Sequence, residues 1–393
     1  MSNEAARLCE EGLELMAQHR WEEAEEKMGQ ALEEDPKSAE LWYNLGKCRF
    51  HQDKFALAIS ALMKVVDRER FYAEAWALLG SCCYAVHDTG WAIQSFTNAM
   101  NTSNGQLRKE CLTARAHTYL AKGDLRVGWE EYEYRLEEAG TWDGNESLRG
   151  KTLLVKAEGG LGDQIFFARY KEFFKKMDHG YVLWEVDEPL AEYFKWGLDY
   201  EVVVRGKEVP EHDYMIHAGS LPYIFGTKQG TIPTFCNNQY YRRALNEITN
   251  IGLACSGNPL HPDDHHRSIP LAAFEPLLAL DKKFYLMQKG VRHTDVEAFA
   301  LSGMKLPEFD DVEDTAADMA RMDLVITVDT MTAHLAGAEG TPTILLLPYA
   351  CDWRWGLEGD RTPWYPSIKI IRQGEDREWG PVIERVLEEL NNG

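Results

Sequence analysis

Residues 152–164 read Thr-Leu-Leu-Val-Lys-Ala-Glu-Gly-Gly-Leu-Gly-Asp-Gln, and this stretch decides how the larger part of the chain folds. An apolar run, TLLVKAE (152–158), ends at a glycine-rich turn. A segment of helical period, QIFFARYKEFFKKM, follows it. Strand, glycine turn and helix in that order predict the first unit of a parallel α/β sheet.

The alternation continues toward the C-terminus. YVLWEV and EVVVRG read as strands, with the helix EPLAEYFKWG between them, and DYMIHAGSLP reads as a strand and turn. A second series starts near Ile251 with the strand IGLACSG. AFEPLLAL (helix), FYLMQKG (strand), TAADMARM (helix), DLVITVD (strand), TAHLAGAEG (helix) and TILLLP (strand) come next. SIKIIRQ and the helix WGPVIERVLEEL close the chain. Two such halves predict two Rossmann-like lobes, with a cleft at the carboxyl ends of their strands where ligands of parallel sheets bind.

Upstream, TWDGNESLRG (141–150) carries the Gly, Asn and Asp of a linker. Before it the sequence repeats every 34 residues: Trp42 and Trp76, Leu45 and Leu79, Gly46 and Gly80, Ala58 and Ala92. Gly12, Ala24 and Ala31 stand one period earlier, Ala99 closes the third unit, and Pro36 follows the first. Glycine and alanine let paired helices approach, and Trp42, Trp76 and Phe96 are expected to fill the gaps between units. This period and its W-x-x-L-G…A…F…A pattern resemble the tetratricopeptide repeat. Three units span about 5–103, and a degraded fourth shows in Leu112, Ala116, Gly123, Asp124 and Trp129–Leu136, its spacing slipped by two. The expected division is 1–140 repeats, 141–150 linker, 151–245 first lobe and 246–393 second lobe.

The 393 residues carry a net charge of −22, of which −8 falls in residues 1–140 and −14 in the rest. Spread acidity opposes general binding to nucleic acid or anionic lipid, since nonspecific affinity there rests on neutralising phosphates. No run reaches the ~18 apolar residues of a membrane span, and the charged N-terminus lacks a signal-peptide core, so the expected location is cytoplasmic. Eight cysteines without a CxxC pair read as reduced, buried thiols.

Four loops carry candidate chemistry. In Glu158–Gln164, Gly160 and Gly162 allow a ligand close to backbone N–H groups. A dinucleotide loop would need a third glycine where Ile165 stands, with Glu185 as the ribose-binding acid, so NAD-linked oxidoreduction is a weaker alternative. Asp163 reads either as a first-turn helix acid or as a carboxylate that takes a proton from an acceptor hydroxyl. In Asp329-Thr330-Met331-Thr332-Ala333-His334, a threonine caps a helix whose N-terminus suits a pyrophosphate, and His334 reads as structural or anion-facing. In Pro348–Trp355 and Arg361–Pro366, aromatics such as Trp353 and Trp364 interleave with arginine, which suits a base or sugar face plus phosphate. In Gly257–Ser268, three histidines and two aspartates match no metal template, and no metal is expected. Arg267 there, with Lys289 and Arg354, is a candidate phosphate ligand. Gln164, Asn258, Asp352 and Trp353 are candidates for the acceptor or sugar side.

GGLGDQIFFARY, GNPLHPDDHHRSIPL, DTAADMARMDLVITVDTMTAHLAGAEGTPTILLLP, DWRWG and TPWYPSIKIIRQ together resemble the catalytic unit of tetratricopeptide-repeat glycosyltransferases related to the heptosyltransferase-like family 9. The likeness runs from about residue 120 to the C-terminus. It implies a GT-B fold and an inverting, metal-free transfer from a nucleotide-sugar co-substrate, with the acceptor on the first lobe and the donor on the second. Asp163 falls on the family's proposed base. Asp329, Thr330, Thr332 and His334 fall on its D-T-x-x-x-H motif beside the donor diphosphate. Arg267 and Lys289 fall near its cationic positions. The first lobe is short for a GT-B lobe and DWRWG departs from the heptosyltransferase pattern, so base and sugar stay open. The acceptor also stays open: a protein held by the repeats, a glycan, a lipid-linked sugar or, less favoured by charge, a modified nucleobase. A non-catalytic interaction protein with a relic GT-B unit is the main rival.

Overall fold

The computed structural model of the chain describes residues 2–138, 140–177, 180–198, 200–234 and 248–392. Cys236 and the expected end of the first lobe, 235–245, lie outside the described residues. The chain forms two compact units, Met1–Glu137 and Glu138–Gly393.

The first unit is a stack of helix pairs: α1 (Asn3–Ala17), α2 (Trp21–Glu34), α3 (Ala39–Phe50), α4 (Phe55–Arg68), α5 (Ala73–Ala85), α6 (Thr89–Thr102), α7 (Gly105–Ala121) and α8 (Leu125–Tyr132). Side chains at helix starts accept backbone N–H groups: Ser2 from Ala5, Ser38 from Leu41, Asp88 from Trp91 and Asp124 from Val127. The 34-residue period is also written in the backbone. His19, Asp53 and His87 turn each pair with φ of 59°, 59° and 62°, and Gly123 does so at 88°. Gly123 follows His87 by two residues more than the period, where the sequence slips.

Each pair closes on a glycine. A Cβ added to Gly12, Gly46 or Gly80 would lie 2.7–2.8 Å from Met28, Leu62 or Phe96 on the second helix. In the fourth pair the glycine changes sides: Gly128 of α8 packs 2.6 Å, measured the same way, from Leu120 of α7. The expected inter-unit role of the tryptophans is corrected in part. Trp42 and Trp76 are half-buried, and their indole N–H groups donate to the Pro36 and Arg70 carbonyls at 3.0 and 2.9 Å, pinning the preceding loops. Phe96 and Trp129 are buried, Phe96 against Gly80 of its own pair.

The second unit holds β1 (Thr152–Lys156), α9 (Leu161–Phe167), α10 (Lys171–Phe174), β2 (Tyr181–Val186), α11 (Ala191–Gly197), β3 (Glu201–Val204), β4 (Tyr214–His217) and α12 (Leu221–Ile224). Then come β5 (Asn250–Ala254), α13 (Asp264–Arg267), α14 (Glu275–Leu278), β6 (Lys283–Leu286), α15 (Val296–Ser302), α16 (Val312–Met319), β7 (Leu324–Val328), α17 (Met331–Glu339), β8 (Thr343–Leu347), β9 (Ile368–Arg372) and α18 (Gly380–Asn392). Among the described residues the strands form two wholly parallel sheets, ordered β3-β2-β1-β4 and β6-β5-β7-β8-β9. The second sheet's core joins Ile251, Leu253, Ile326, Val328 and Ile344 to Val382, Ile383 and Val386 of α18. A helical repeat region followed by an α/β region is therefore the architecture.

Two local readings change. The helix expected over QIFFARYKEFFKKM is interrupted by a 3-10 turn at Ala168–Tyr170, because fully buried Arg169 donates through Nε to the Phe166 carbonyl at 2.8 Å. The segment 141–150 is folded against the first sheet: Thr141 N–H donates to the Met215 carbonyl at 2.8 Å, and Trp142 is 2% exposed among Phe174 and Phe225. Among the described residues seven cysteines are buried thiols outside any disulfide. Among the described residues no helix is long and apolar enough to cross a membrane.

Candidate functional site

Parallel sheets bind ligands where the chain reverses its direction of winding. In the first sheet that point lies between β1 and β4, and in the second between β5 and β7. The glycine-rich loop leaves β1 there, and the Asp329–Met331 turn leaves β7. A hydrogen bond spans each switch point. Glu158 Oε2 accepts the Gly219 N–H at 2.7 Å, and Arg267 Nη1 donates to the Asp329 carbonyl at 2.9 Å.

The glycine loop delivers Asp163 into the first turn of α9. Gly159 sits at φ 64°, and Asp163 Oδ2 accepts the Gly160 N–H at 2.8 Å, so the carboxylate closes its own helix start. Its other oxygen, Oδ1, lies 2.5 Å from Arg354 Nη2, and the side chain keeps 30% of its surface exposed. Capping therefore occupies one oxygen and leaves the other facing the second lobe. Glu185, the acid a dinucleotide reading would need, is 7% exposed and accepts the Ala157 N–H at 3.2 Å. It is spent on the loop itself.

In the second lobe Thr330 caps α17, its Oγ1 accepting the Thr332 N–H at 3.3 Å, while the Thr332 hydroxyl donates to the Met287 carbonyl at 3.2 Å. Thr332 thus holds the helix start against the end of β6. Asp329 is half-buried. Burial raises its carboxyl to about 7, helped by the neighbouring Asp352 charge and opposed by the Trp355 indole, Arg267 and Arg354. His334 is buried, bonded through Nδ1 to the Tyr365 hydroxyl at 3.0 Å and stacked on Trp355 at 5.2 Å. Desolvation, with Arg354 nearby, lowers it to about 3, so it is a neutral packing and hydrogen-bonding group.

The cations gather in a strongly acidic chain. Arg267 lies 3.7 Å from Asp264, and Arg292 Nη2 reaches both Asp264 Oδ2 (2.7 Å) and the Gly257 carbonyl (2.6 Å). Arg354 Nη1 holds Asp352 Oδ1 at 2.9 Å. Lys289 is exposed just beyond β6. Two of the other expected contacts, Gln164 and Trp353, face inward. Gln164 is 2% exposed and latched to Asp187 by bonds of 2.7 and 2.9 Å. Trp353 is buried edge-on against Phe166 and Trp364. Asn258 is exposed, turning its own loop through Leu260 N–H.

Sequence reasoning passed over Arg169, Arg292 and Tyr365. Arg169 joins the lobes: Nη1 donates to the Trp364 carbonyl at 2.8 Å, with the Phe166 and Tyr365 rings 4.4 and 4.5 Å away. Tyr193 of α11 adds a further tie, donating to Glu339 of α17 at 2.6 Å. An arginine inside FFARY carries no outward mark of burial; only its place in an otherwise apolar run hints at it.

Comparison with known proteins locates the repeats. A tetratricopeptide repeat model matches residues 15–82. The chain is 26% identical to Protein FlbA of Caulobacter vibrioides over 432 aligned positions, covering 95% of this chain and 70% of that protein. Among solved structures, MamA is 24% identical with a TM-score of 0.33, covering 34% of this chain and 78% of that one. The Sgt2 TPR domain of Aspergillus fumigatus is 19% identical with a TM-score of 0.28, covering 29% and 78%. The N-terminal helices are tetratricopeptide repeats, a type of surface suited to holding protein partners.

Proposed function

We propose that the second unit is a GT-B type glycosyltransferase and that the repeats recruit a protein acceptor to it. The observation that carries this reading is the 2.5 Å contact of Asp163, at the switch point of the first sheet, with Arg354, on the turn that follows β8 of the second sheet. A proton-accepting carboxylate and an anion site then share one cleft.

In the proposed reaction Asp163 takes the proton of an acceptor hydroxyl. The hydroxyl oxygen attacks the anomeric carbon from the face opposite the leaving group, and the bond from that carbon to the phosphate oxygen breaks. Its electron pair leaves with the nucleoside diphosphate, giving inversion. Arg267, Lys289 and the start of α17 stabilise the charge growing on that diphosphate. Gly160 keeps side-chain bulk away from the base: a Cβ there would meet nothing nearer than Asp163 Oδ2 at 3.8 Å. No metal or redox cofactor has a part in the scheme; the nucleotide-sugar is a co-substrate.

The test is thermal stabilisation by UDP, ADP, GDP, CDP, TDP, CMP and NADH. A ligand at 100 times its dissociation constant adds ~2.7 kcal/mol, an easily read shift. Stabilisation by one nucleoside diphosphate and not by NADH supports the reading and names the donor base. No stabilisation by any of them removes the enzyme and leaves the repeats as the functional part.

A further inference from the structure

Arg354 stands where a donor phosphate ligand was expected, yet its contacts point elsewhere. It is 8% exposed, on the short turn Trp353–Trp355 that follows β8. Nη2 meets Asp163 Oδ1 at 2.5 Å and Nη1 meets Asp352 Oδ1 at 2.9 Å. The guanidinium lies 4.2 Å from the Trp353 ring centre and 5.1 Å from that of Phe166. The Asp352 carboxylate also accepts the Arg354 N–H at 3.0 Å, so backbone and side chain are clamped by one acid. A guanidinium between two carboxylates and two rings is fixed in direction, and its fork suits holding an oxygen in place.

We propose that Arg354 is a positioning residue for Asp163: held by Asp352, it reaches from the second lobe and fixes the carboxylate in its place beside the cleft. This rests on the reading of Asp163 as the base of the proposed transfer. The consequence is geometric. Gly160 N–H holds Oδ2 from within the first lobe and Arg354 holds Oδ1 from the second. The base is then aligned only when both lobes are in register, and donor affinity lies with other groups, Arg267 first among them.

The experiment measures nucleotide-sugar hydrolysis or transfer for wild type, Arg354→Gln, Arg354→Lys, Asp163→Asn and the Arg354→Gln/Asp163→Asn double variant. Far-ultraviolet circular dichroism serves as the folding check. Loss of alignment of a catalytic group costs on the order of 100-fold in kcat, and Arg354→Gln is expected to lose about that much with donor KM changed less than about threefold. Arg354→Lys, which keeps the cation but loses the fork, should recover about tenfold of the loss. In the Asp163→Asn background, Arg354→Gln should cost less than about threefold more, because residues acting as a unit are not additive. A tenfold rise in donor KM with kcat kept, or an undiminished effect in the double variant, overturns the positioning role while leaving the transferase reading in place. A folded wild type that turns over no nucleotide-sugar overturns both.

Discussion

Gly162 and His334, far apart in the sequence, meet across the two lobes: a Cβ on Gly162 would lie 2.8 Å from His334 Cδ2 and 3.5 Å from Met331 Cα. The glycine-rich loop and the D-T-x-x-x-H segment are therefore one construction. His334 has no room to retreat, with Phe166, Trp355 and Tyr365 around its ring. Gly162→Ala should overpack this contact and destabilise the second unit by ~1–3 kcal/mol in urea unfolding. Gly160→Ala, where the nearest neighbour would be Asp163 Oδ2 at 3.8 Å, is the control and should change stability by less than ~0.5 kcal/mol. Equal effects would contradict the close approach.

The fourth repeat offers a second packing test. Gly128→Ala places a methyl group 2.6 Å from Leu120, and the chain should lose ~1–3 kcal/mol. Adding Leu120→Ala to Gly128→Ala should make the pair less costly than the sum of the single changes. Additive losses would mean that the two residues do not meet.

Acid and base should act on stability through two residues of opposite sign. The folded chain keeps His334 neutral down to about 3 against an ordinary value of 6.5. Between those limits the unfolded chain binds the extra proton, so stability falls as pH falls, by up to ~1.4 kcal/mol per pH unit. Asp329 runs the other way, raised to about 7 from 3.8. Between those limits the folded chain holds the extra proton, and the contribution is lost as pH rises. His334→Gln should flatten the fall in Tm below pH 6.5, and Asp329→Asn should flatten the fall on approaching pH 7. Unchanged slopes in both would remove these residues from the titration.

Much of the fold was legible because strands, turns and repeats are local patterns. Every strand read from residues 152–372 occurs, since apolar runs bounded by glycine leave few alternatives. The repeat period survives even as backbone geometry at His19, Asp53 and His87. The site was less legible. Asp163 could be named from its loop, but its partner Arg354 lies on another lobe, and no spacing rule connects the two. Gln164 and Trp353 sit in the right loops and face inward, because side-chain direction there is set by tertiary contacts with Asp187 and Phe166. Arg169 and Arg292 escaped notice because buried arginines are defined by what surrounds them.

Donor affinity should fall first at Arg267 and Thr330. Arg267→Ala removes a guanidinium at the β7 switch point, and Thr330→Ala removes the cap of α17. Loss of a charged hydrogen bond costs ~1.5–3 kcal/mol, so Arg267→Ala should weaken nucleoside diphosphate binding by roughly tenfold or more in calorimetry. Thr330→Ala should cost about 1 kcal/mol through the cap. Wild-type affinity in both would move the phosphate site elsewhere.

The most direct test of the central claim is nucleoside diphosphate release from a panel of nucleotide-sugars, comparing wild type with Asp163→Asn at matched nucleotide occupancy. The account predicts release above blank from one donor by wild type. It also predicts a loss of about 100- to 10,000-fold in Asp163→Asn, with nucleotide affinity unchanged, as removal of a general base requires. Release by Asp163→Asn at the wild-type rate, or no release from any donor by wild type, would contradict it.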